Sequence, residues 1–471
     1  MTKPIQVRNP RTGKLDHEIL PPSHSLLQQQ CTNLRQAQID WQQIGIEGRI
    51  EALQQWKQAI LSQRERLSES LIKDTGRLSI SILEIDSFLS GIDRWCKLAP
   101  DLLQESNKNT TVPFIQLQQT SVPYPLVGVI SPWNFPLLLS TIDTIPALLA
   151  GCAVIVKPSE IASRFVKPLT VAIETVPRLK NLLTFIEGGG ETGASLIEYV
   201  DLVCFTGSVA TGRKVAEAAA KRFIPAFLEL GGKDPAIVLS SANLELATSA
   251  ILWGSVVNTG QSCLSIERIY VAESIFEEFV DRLVTKAEGL KLAYPTLESG
   301  EIGPIIAERQ AAIISEHLQD AIEKGAIIRC GGKVEEKDGG WWCYPTVLTQ
   351  VNHSLKVMTE ETFAPIMPVM PFSTVEEAIN LANDTIYGLS AAIFAEESEA
   401  LAVARQIDAG AISINDAALT ALIYEGEKNS FKYSGLGGSR MGSAGLMRFL
   451  RKKAFLVKTN SSPDPWWFDR H

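Results

Sequence analysis

The chain has 471 residues, 45% hydrophobic and 21% charged, an ordinary globular composition long enough for two or three domains. A net charge of −9 leaves no basic footprint for nucleic acid. Seven dispersed cysteines without a CxxC pair and five scattered histidines argue against a disulfide framework or a metal constellation, and for a reducing compartment. Residues Met1–Gln6 lack a signal-peptide core and no run reaches the roughly 18 apolar residues of a membrane span, so a cytoplasmic protein without an integral membrane segment is expected.

Residues 1–24, with Pro4, Pro10, Pro21 and Pro22, read as an extended arm. From Ser25 to about Lys73 the apolar marks Trp41, Ile44, Ile50, Leu53, Trp56 and Ile60 recur at helical spacing, and a further helix is expected over 80–98. Residues 105–125 change to a β-rich run ended by Pro123 and Pro125. Then strands and helices alternate. Short strands are expected at 127–130, 153–156, 183–186 and 202–205, with a helix over 137–150 made irregular by Pro146. The alternation resumes after Gly232 through 236–239, 269–272, 327–329 and 391–394, and it predicts a parallel α/β sheet. The Pro- and Trp-rich tail from Ser461 is expected to pack irregularly.

Three segments carry a cofactor signal. Gly188-Gly189-Gly190-Glu191-Thr192-Gly193 matches the dinucleotide fingerprint, although a glycine-rich turn after a strand reads equally as a plain turn. Phe205-Thr206-Gly207-Ser208 ends a strand and runs into a helix, whose free N–H groups suit a pyrophosphate. Lys157-Pro158-Ser159-Glu160 follows another strand end. Its Lys and carboxylate suit ribose hydroxyls, and Glu160 would repel a 2′-phosphate, which favours NAD over NADP while leaving NADP open. An ordinary helix start would also account for this segment.

Chemistry is signalled by Cys263, set in the polar loop Gly260-Gln261-Ser262-Cys263 rather than in an apolar strand. The other six cysteines read as small buried hydrophobes. Upstream lie Leu228-Glu229-Leu230-Gly231-Gly232-Lys233 and Pro132-Trp133-Asn134-Phe135-Pro136. A thiol nucleophile, a carboxylate base with glycines giving it room, and an amide donor for an oxyanion are the parts needed to attack and oxidise a carbonyl. Cys263 follows Glu229 by 34 positions, and no cysteine flanks it with which a vicinal disulfide could form.

These segments, in this order, resemble the aldehyde dehydrogenase superfamily of the NAD(P)-dependent hydrolytic type, from about residue 120 to about residue 460. The resemblance implies Cys263 as nucleophile, Glu229 as base and Asn134 as oxyanion donor. It places Trp133, Lys157, Ser159, Glu160, Gly207 and Ser208 at the cofactor, with Glu361 on the nicotinamide ribose and Phe363 against the ring. The family usually has glycine at Ala364, where a methyl group would restrict the loop. The implied fold is α/β: a Rossmann-like cofactor domain (1–104 and 124–231), an α/β catalytic domain (232–430), and a small β oligomerisation arm with the C-terminal tail (105–123 and 431–471). That arm pairs with another subunit in the family, which implies a homodimer or homotetramer. The substrate would be a small aldehyde, apolar if Phe135-Pro136-Leu137-Leu138-Leu139 lines its tunnel. Many members carry Pro-Phe-Gly-Gly ahead of Lys-x-Ser-Gly near the substrate entrance, where this chain has Glu427-Lys428-Asn429-Ser430-Phe431-Lys432-Tyr433-Ser434-Gly435. Two other readings stay open at this point: a CoA-acylating relative, in which CoA takes the acyl group in place of water, and a non-catalytic protein on the same fold.

Overall fold

The computed structural model describes residues 3–460. The irregular tail expected from Ser461 therefore lies outside the described residues. The N-terminal arm is a hairpin, Ile5–Arg8 against Leu15–Ile19, rather than a plain extended segment. Four helices follow, His24–Gln43, Gly45–Ser62, Arg64–Thr75 and Ser79–Leu102. The first starts where Ser23 accepts the Leu26 N–H at 3.2 Å, a side-chain cap. Their apolar faces, with Leu53, Trp56, Leu71, Phe88 and Ile92 buried, share one core with the first sheet.

That sheet runs, in spatial order, Gly435–Leu436, Ala226–Glu229, Leu202–Thr206, Leu126–Ile130, Ala153–Lys157 and Leu183–Phe185. All neighbours are parallel except the first pair. The strands 126–130, 153–157 and 202–206 are buried throughout, which is why they read as unbroken apolar runs. The chain leaves 126–130 toward 153–157 on one side and returns to 202–206 on the other. This reversal opens a crevice beyond the carboxyl ends of those two strands, the ligand site of doubly wound sheets. The helix expected over 137–150 is two helices, Pro136–Thr141 and Thr144–Ala150. Pro146 lies in the first turn of the second, and its ring excludes the helical carbonyl four residues back, so the break falls upstream of the proline.

The second sheet runs Ile327–Cys330, Thr346–Thr349, Ile366–Phe372, Ile266–Ala272, Asp234–Val238, Ser390–Phe394 and Ala411–Ile414. It is parallel except for the antiparallel edge pair 327–330 with 346–349, so the expectation of parallel pairing fails for that edge strand. A separate three-stranded antiparallel sheet joins Ser106–Asn109, Ile115–Pro123 and Leu450–Lys458.

The C-terminal chain ties the first sheet to a small two-stranded one. Phe431–Lys432 pairs with Tyr387–Gly388, and shortly after it Gly435–Leu436 pairs with Leu228 and Glu229 of the first sheet. Leu446 and Phe449 then enter the first core before the arm strand begins. The carboxyl ends of strands 126–130, 202–206 and 226–229 thus meet the amino ends of strands 234–238, 266–272 and 366–372. Among the described residues no helix is long and apolar enough to cross a membrane.

Candidate active site

Cys263 stands on a loop that the backbone bends sharply to reach. Asn258, Thr259 and Gly260 all have φ between 55° and 67°, three consecutive left-handed residues. Only Gly260 adopts this without strain, and a side chain there would collide with the Ala364 backbone. Asn258 secures the bend, because its Nδ2 donates to Asn134 O and to Gln261 O, each at 2.9 Å. The buried Gln261 side chain anchors the next turn, donating to Pro304 O at 3.3 Å and accepting the Ile306 N–H at 3.0 Å. Asn134, itself buried, donates from Nδ2 to Gln261 O at 3.0 Å, so the amide lies two residues from the thiol and keeps its second N–H. Among the described residues no acceptor takes the Cys263 backbone N–H.

The Cys263 thiol is half-buried, while the other six cysteines are buried. Burial pushes it up to about 12; Lys428 pulls it down, and the charges of Glu361, Asp234 and Glu229 push it further up. These surroundings favour the thiol over the thiolate.

Glu229 closes the strand 226–229. Its Oε2 accepts the Ser430 hydroxyl at 2.8 Å and faces Lys428 Nζ at 3.7 Å. The glycines after it leave room for other groups. A Cβ on Gly231 would stand 2.5 Å from Glu361 Oε2, and one on Gly232 2.6 Å from both Cys263 O and Asp234 Oδ1. They admit the facing carboxylate and the backbone of the cysteine. Gly232→Ala should therefore displace Cys263 and lower kcat about a hundredfold, the cost of a misplacement near 1 Å, with melting temperature little changed. Steady-state kinetics beside thermal unfolding checks this.

The cofactor segments converge at the crevice. The Lys157 ammonium, almost fully buried, donates to Gly188 O at 2.8 Å and faces Glu160 Oε2 at 3.4 Å. Burial lowers this ammonium from its usual range and Glu160 opposes the shift. The glycine run 188–193 thus lies against Lys157, where a Cβ on Gly193 would touch its side chain and one on Gly190 would meet open space. Ser208, exposed, caps the helix Val209–Arg222 by accepting the Thr211 N–H, and a Cβ on Gly212 would press into Leu230. Gly212 thus lets the helix start close to the sheet. A buried ammonium beside a carboxylate, an open glycine turn and an exposed helix N-terminus form a donor set that fits a dinucleotide.

Across the crevice, Glu267 clamps the loop 360–365. It accepts the Thr362 and Phe363 N–H groups, each at 2.7 Å, and pairs with the buried Lys233 Nζ at 2.6 Å. Arg268 fixes the start of that strand by donating to Lys233 O at 2.8 Å. Phe363 has φ 57° and meets Trp133 edge to face, ring centroids 5.6 Å apart. The left-handed residue of the loop is Phe363, so buried Ala364 needs no glycine, contrary to the restriction expected of its methyl group. The Glu361 carboxyl accepts the Gly232 N–H at 3.2 Å, and burial with the Glu267 charge raises it to about 8. Among the described residues no group of three or more His, Cys, Asp or Glu side chains could hold a metal.

The structure thus brings Asn134, Glu229 and Cys263 to one crevice with the cofactor candidates. Sequence reasoning missed Asn258 and Glu267, and named Lys428 and Ser430 only within the segment that departs from the family pattern. Asn258 had a signal in Asn-Thr-Gly before the polar loop, since Asn tolerates positive φ.

The family model for the aldehyde dehydrogenase family matches residues 1–455. The chain belongs to the aldehyde dehydrogenase family. It is 37% identical to the 4,4'-diapolycopene aldehyde oxidase of Methylomonas sp over 98% of this chain and 88% of that protein. It is 34% identical to the peroxisomal aminoaldehyde dehydrogenase 1 of Pisum sativum over 91% of this chain and 86% of that one. Among solved structures it superposes on PutA from Anabaena variabilis with TM-score 0.98 and 75% identity, covering 99% of this chain and 100% of that one. It superposes on the betaine aldehyde dehydrogenase of Staphylococcus aureus, in complex with NAD+, with TM-score 0.92 and 30% identity over 99% and 94%. As an aldehyde dehydrogenase the chain is an oxidoreductase acting on the aldehyde group, on the α/β architecture its sequence implied.

Proposed function

We propose that this aldehyde dehydrogenase converts an apolar aldehyde to its carboxylic acid through covalent attachment to Cys263. The overall reaction is NAD(P)-dependent: aldehyde, NAD(P) and water give acid, NAD(P)H and a proton. One observation carries the residue assignment: Asn134 is bonded to the Cys263 loop, and Glu229 ends the strand that is followed by Gly232, which lies against Cys263 O. The Cys263 sulfur attacks the aldehyde carbon as its proton leaves to solvent water. Asn134 Nδ2 and the Cys263 N–H receive the oxyanion, each such donor being worth about 3 kcal/mol of barrier. NAD, held by the residues named below, would supply the hydride acceptor for oxidation of the carbon attached to Cys263, leaving a thioester on the sulfur. Glu229 then takes a proton from water, whose oxygen adds to the thioester carbon and releases acid and the Cys263 sulfur. The presence of Glu229 favours water over CoA, and the complete set favours an enzyme over a non-catalytic protein.

In this reading Lys157, Ser159, Glu160, Gly207 and Ser208 hold the adenosine and pyrophosphate half. Trp133, Glu361 and Phe363 hold the nicotinamide half. Residues 1–104 and 124–231 form the cofactor domain and 232–430 the catalytic domain. The arm of 105–123 and the C-terminal strand belongs to a homodimer or homotetramer. The edge strand Leu450–Lys458 supports this by exposing Phe455, Leu456 and Val457 in succession, an apolar edge that a partner would cover. The half-buried Phe135, Leu138 and Leu139 support an apolar aldehyde, and the protein works in the cytoplasm. NADH formation over a chain-length series of aldehydes, with and without CoA, tests the reading. Product formation must need no CoA, and efficiency must rise with apolar chain length.

Cofactor choice follows from Glu160. The Glu160→Ser variant loses the charge and one ribose acceptor together, so NAD efficiency should fall while NADP efficiency holds or rises. Screening at ordinary salt limits the change in the kcat/KM ratio to roughly one to two orders of magnitude. Measurement of kcat/KM with both cofactors in parent and variant decides, and a parent that prefers NADP contradicts it.

A further inference from the structure

The segment where this chain departs from its family is built against the site. Glu427 accepts the Ser443 hydroxyl at 2.6 Å and the Ala444 N–H at 2.9 Å, and the Lys428 N–H donates to Ser439 Oγ at 3.1 Å. The backbone is thereby pinned to the chain that follows it. From this mount Ser430 donates to Glu229 Oε2 at 2.8 Å and Lys428 Nζ stands 3.7 Å from the same oxygen. The Lys428 and Glu229 side chains are only 12% and 13% exposed, so solvent and salt screen the pair weakly.

We propose that Lys428 is a positioning residue for both halves of the chemistry: its ammonium holds Glu229 at rest on the C-terminal segment and turns a positive charge toward Cys263. The inference rests on the assignment of Cys263 and Glu229 made above. Four titratable groups act on Cys263, each from a different element. Glu229 ends strand 226–229, Asp234 begins strand 234–238, Glu361 lies on the clamped loop, and Lys428 lies on the C-terminal segment. Three are carboxyls that disfavour a thiolate, and Lys428 is the cation opposing them, pulling the thiol down. With Glu229 docked on Lys428, the pair presents little net charge to the nucleophile. Once Glu229 turns to a water molecule, the full charge of Lys428 faces the sulfur that is about to leave the thioester as an anion.

The test is the rate of Cys263 alkylation by iodoacetamide against pH in the enzyme free of aldehyde and cofactor. Below its pKa the reactive thiolate fraction climbs with pH, so log rate rises with pH in the parent enzyme along a line that is shallower where Glu361 and Asp234 lose their protons. In Lys428→Met that line should drop by roughly tenfold at every pH with its slope unchanged, as removal of a close opposite charge shifts a titration by about one unit. Lys428→Arg should restore it, which a merely structural lysine would not require. NAD affinity reports folding, and Lys428→Gln replaces the Met variant if that one fails to fold. Coincident lines for parent and neutral variant overturn the role of Lys428. Should alkylation of Cys263 leave turnover intact, the nucleophile assignment itself falls. Loss of turnover with coincident lines defeats Lys428 alone.

Discussion

Cys263→Ala is expected to lower aldehyde-dependent NADH production by at least about 10⁴-fold, the scale on which loss of a covalent nucleophile is felt. The variant removes one sulfur from a loop whose shape is held by other groups. Asn258, Gln261 and the left-handed turn at 258–260 all remain, so the backbone should keep its course. The cofactor cradle lies on separate segments, with Lys157 bonded to the glycine run and Ser208 capping its helix. NAD affinity should accordingly be unchanged within error, and titration of cofactor binding beside turnover measures both. Turnover within about tenfold of the parent would remove Cys263 from the mechanism, because general acid–base chemistry alone does not supply that rate.

Glu229→Gln should separate the two halves of the reaction. The amide oxygen can still accept the Ser430 hydroxyl, so the side chain keeps its place, but it cannot take a proton from water. Where hydride transfer draws on another route for the thiol proton, the variant accumulates thioester. Rapid mixing with aldehyde and NAD should then show a burst of about one NADH per active site followed by turnover at least about a hundredfold below the parent. A slow reaction without a burst places Glu229 before hydride transfer as the group that activates Cys263. Full steady-state turnover in this variant would defeat the base assignment.

Much of this site could be read before its geometry was known, for a local reason. Lys157 to Glu160 and Gly207-Ser208 follow apolar strands directly, so each motif carries its own address at a strand end. Cys263 is marked by polar neighbours within three residues. What escaped the reading depends on distant pairing. Ser430 lies 201 positions from Glu229, and nothing near either residue announces the other. The glycines after Glu229 illustrate the same limit: their need for space comes from Glu361 and Cys263, which only folding brings there. The antiparallel edge strand 327–330 has the composition of its parallel neighbours, and composition carries no direction. At Ala364 the family pattern suggested strain, whereas the left-handed turn is taken by Phe363 one position earlier.

The return of the C-terminal chain to the first sheet has a consequence for biosynthesis. On the emerging polypeptide Glu229 and Cys263 are both made long before Ser430, Gly435 and Leu436 leave the ribosome. Until then the edge of strand 226–229 has no partner there, and Glu229 has neither Ser430 nor Lys428 to hold it. A chain cut short anywhere before this crossing would carry Glu229 without these partners and an open sheet edge. Such a chain should aggregate or be degraded rather than act, so a working enzyme signals that translation has run nearly to its end.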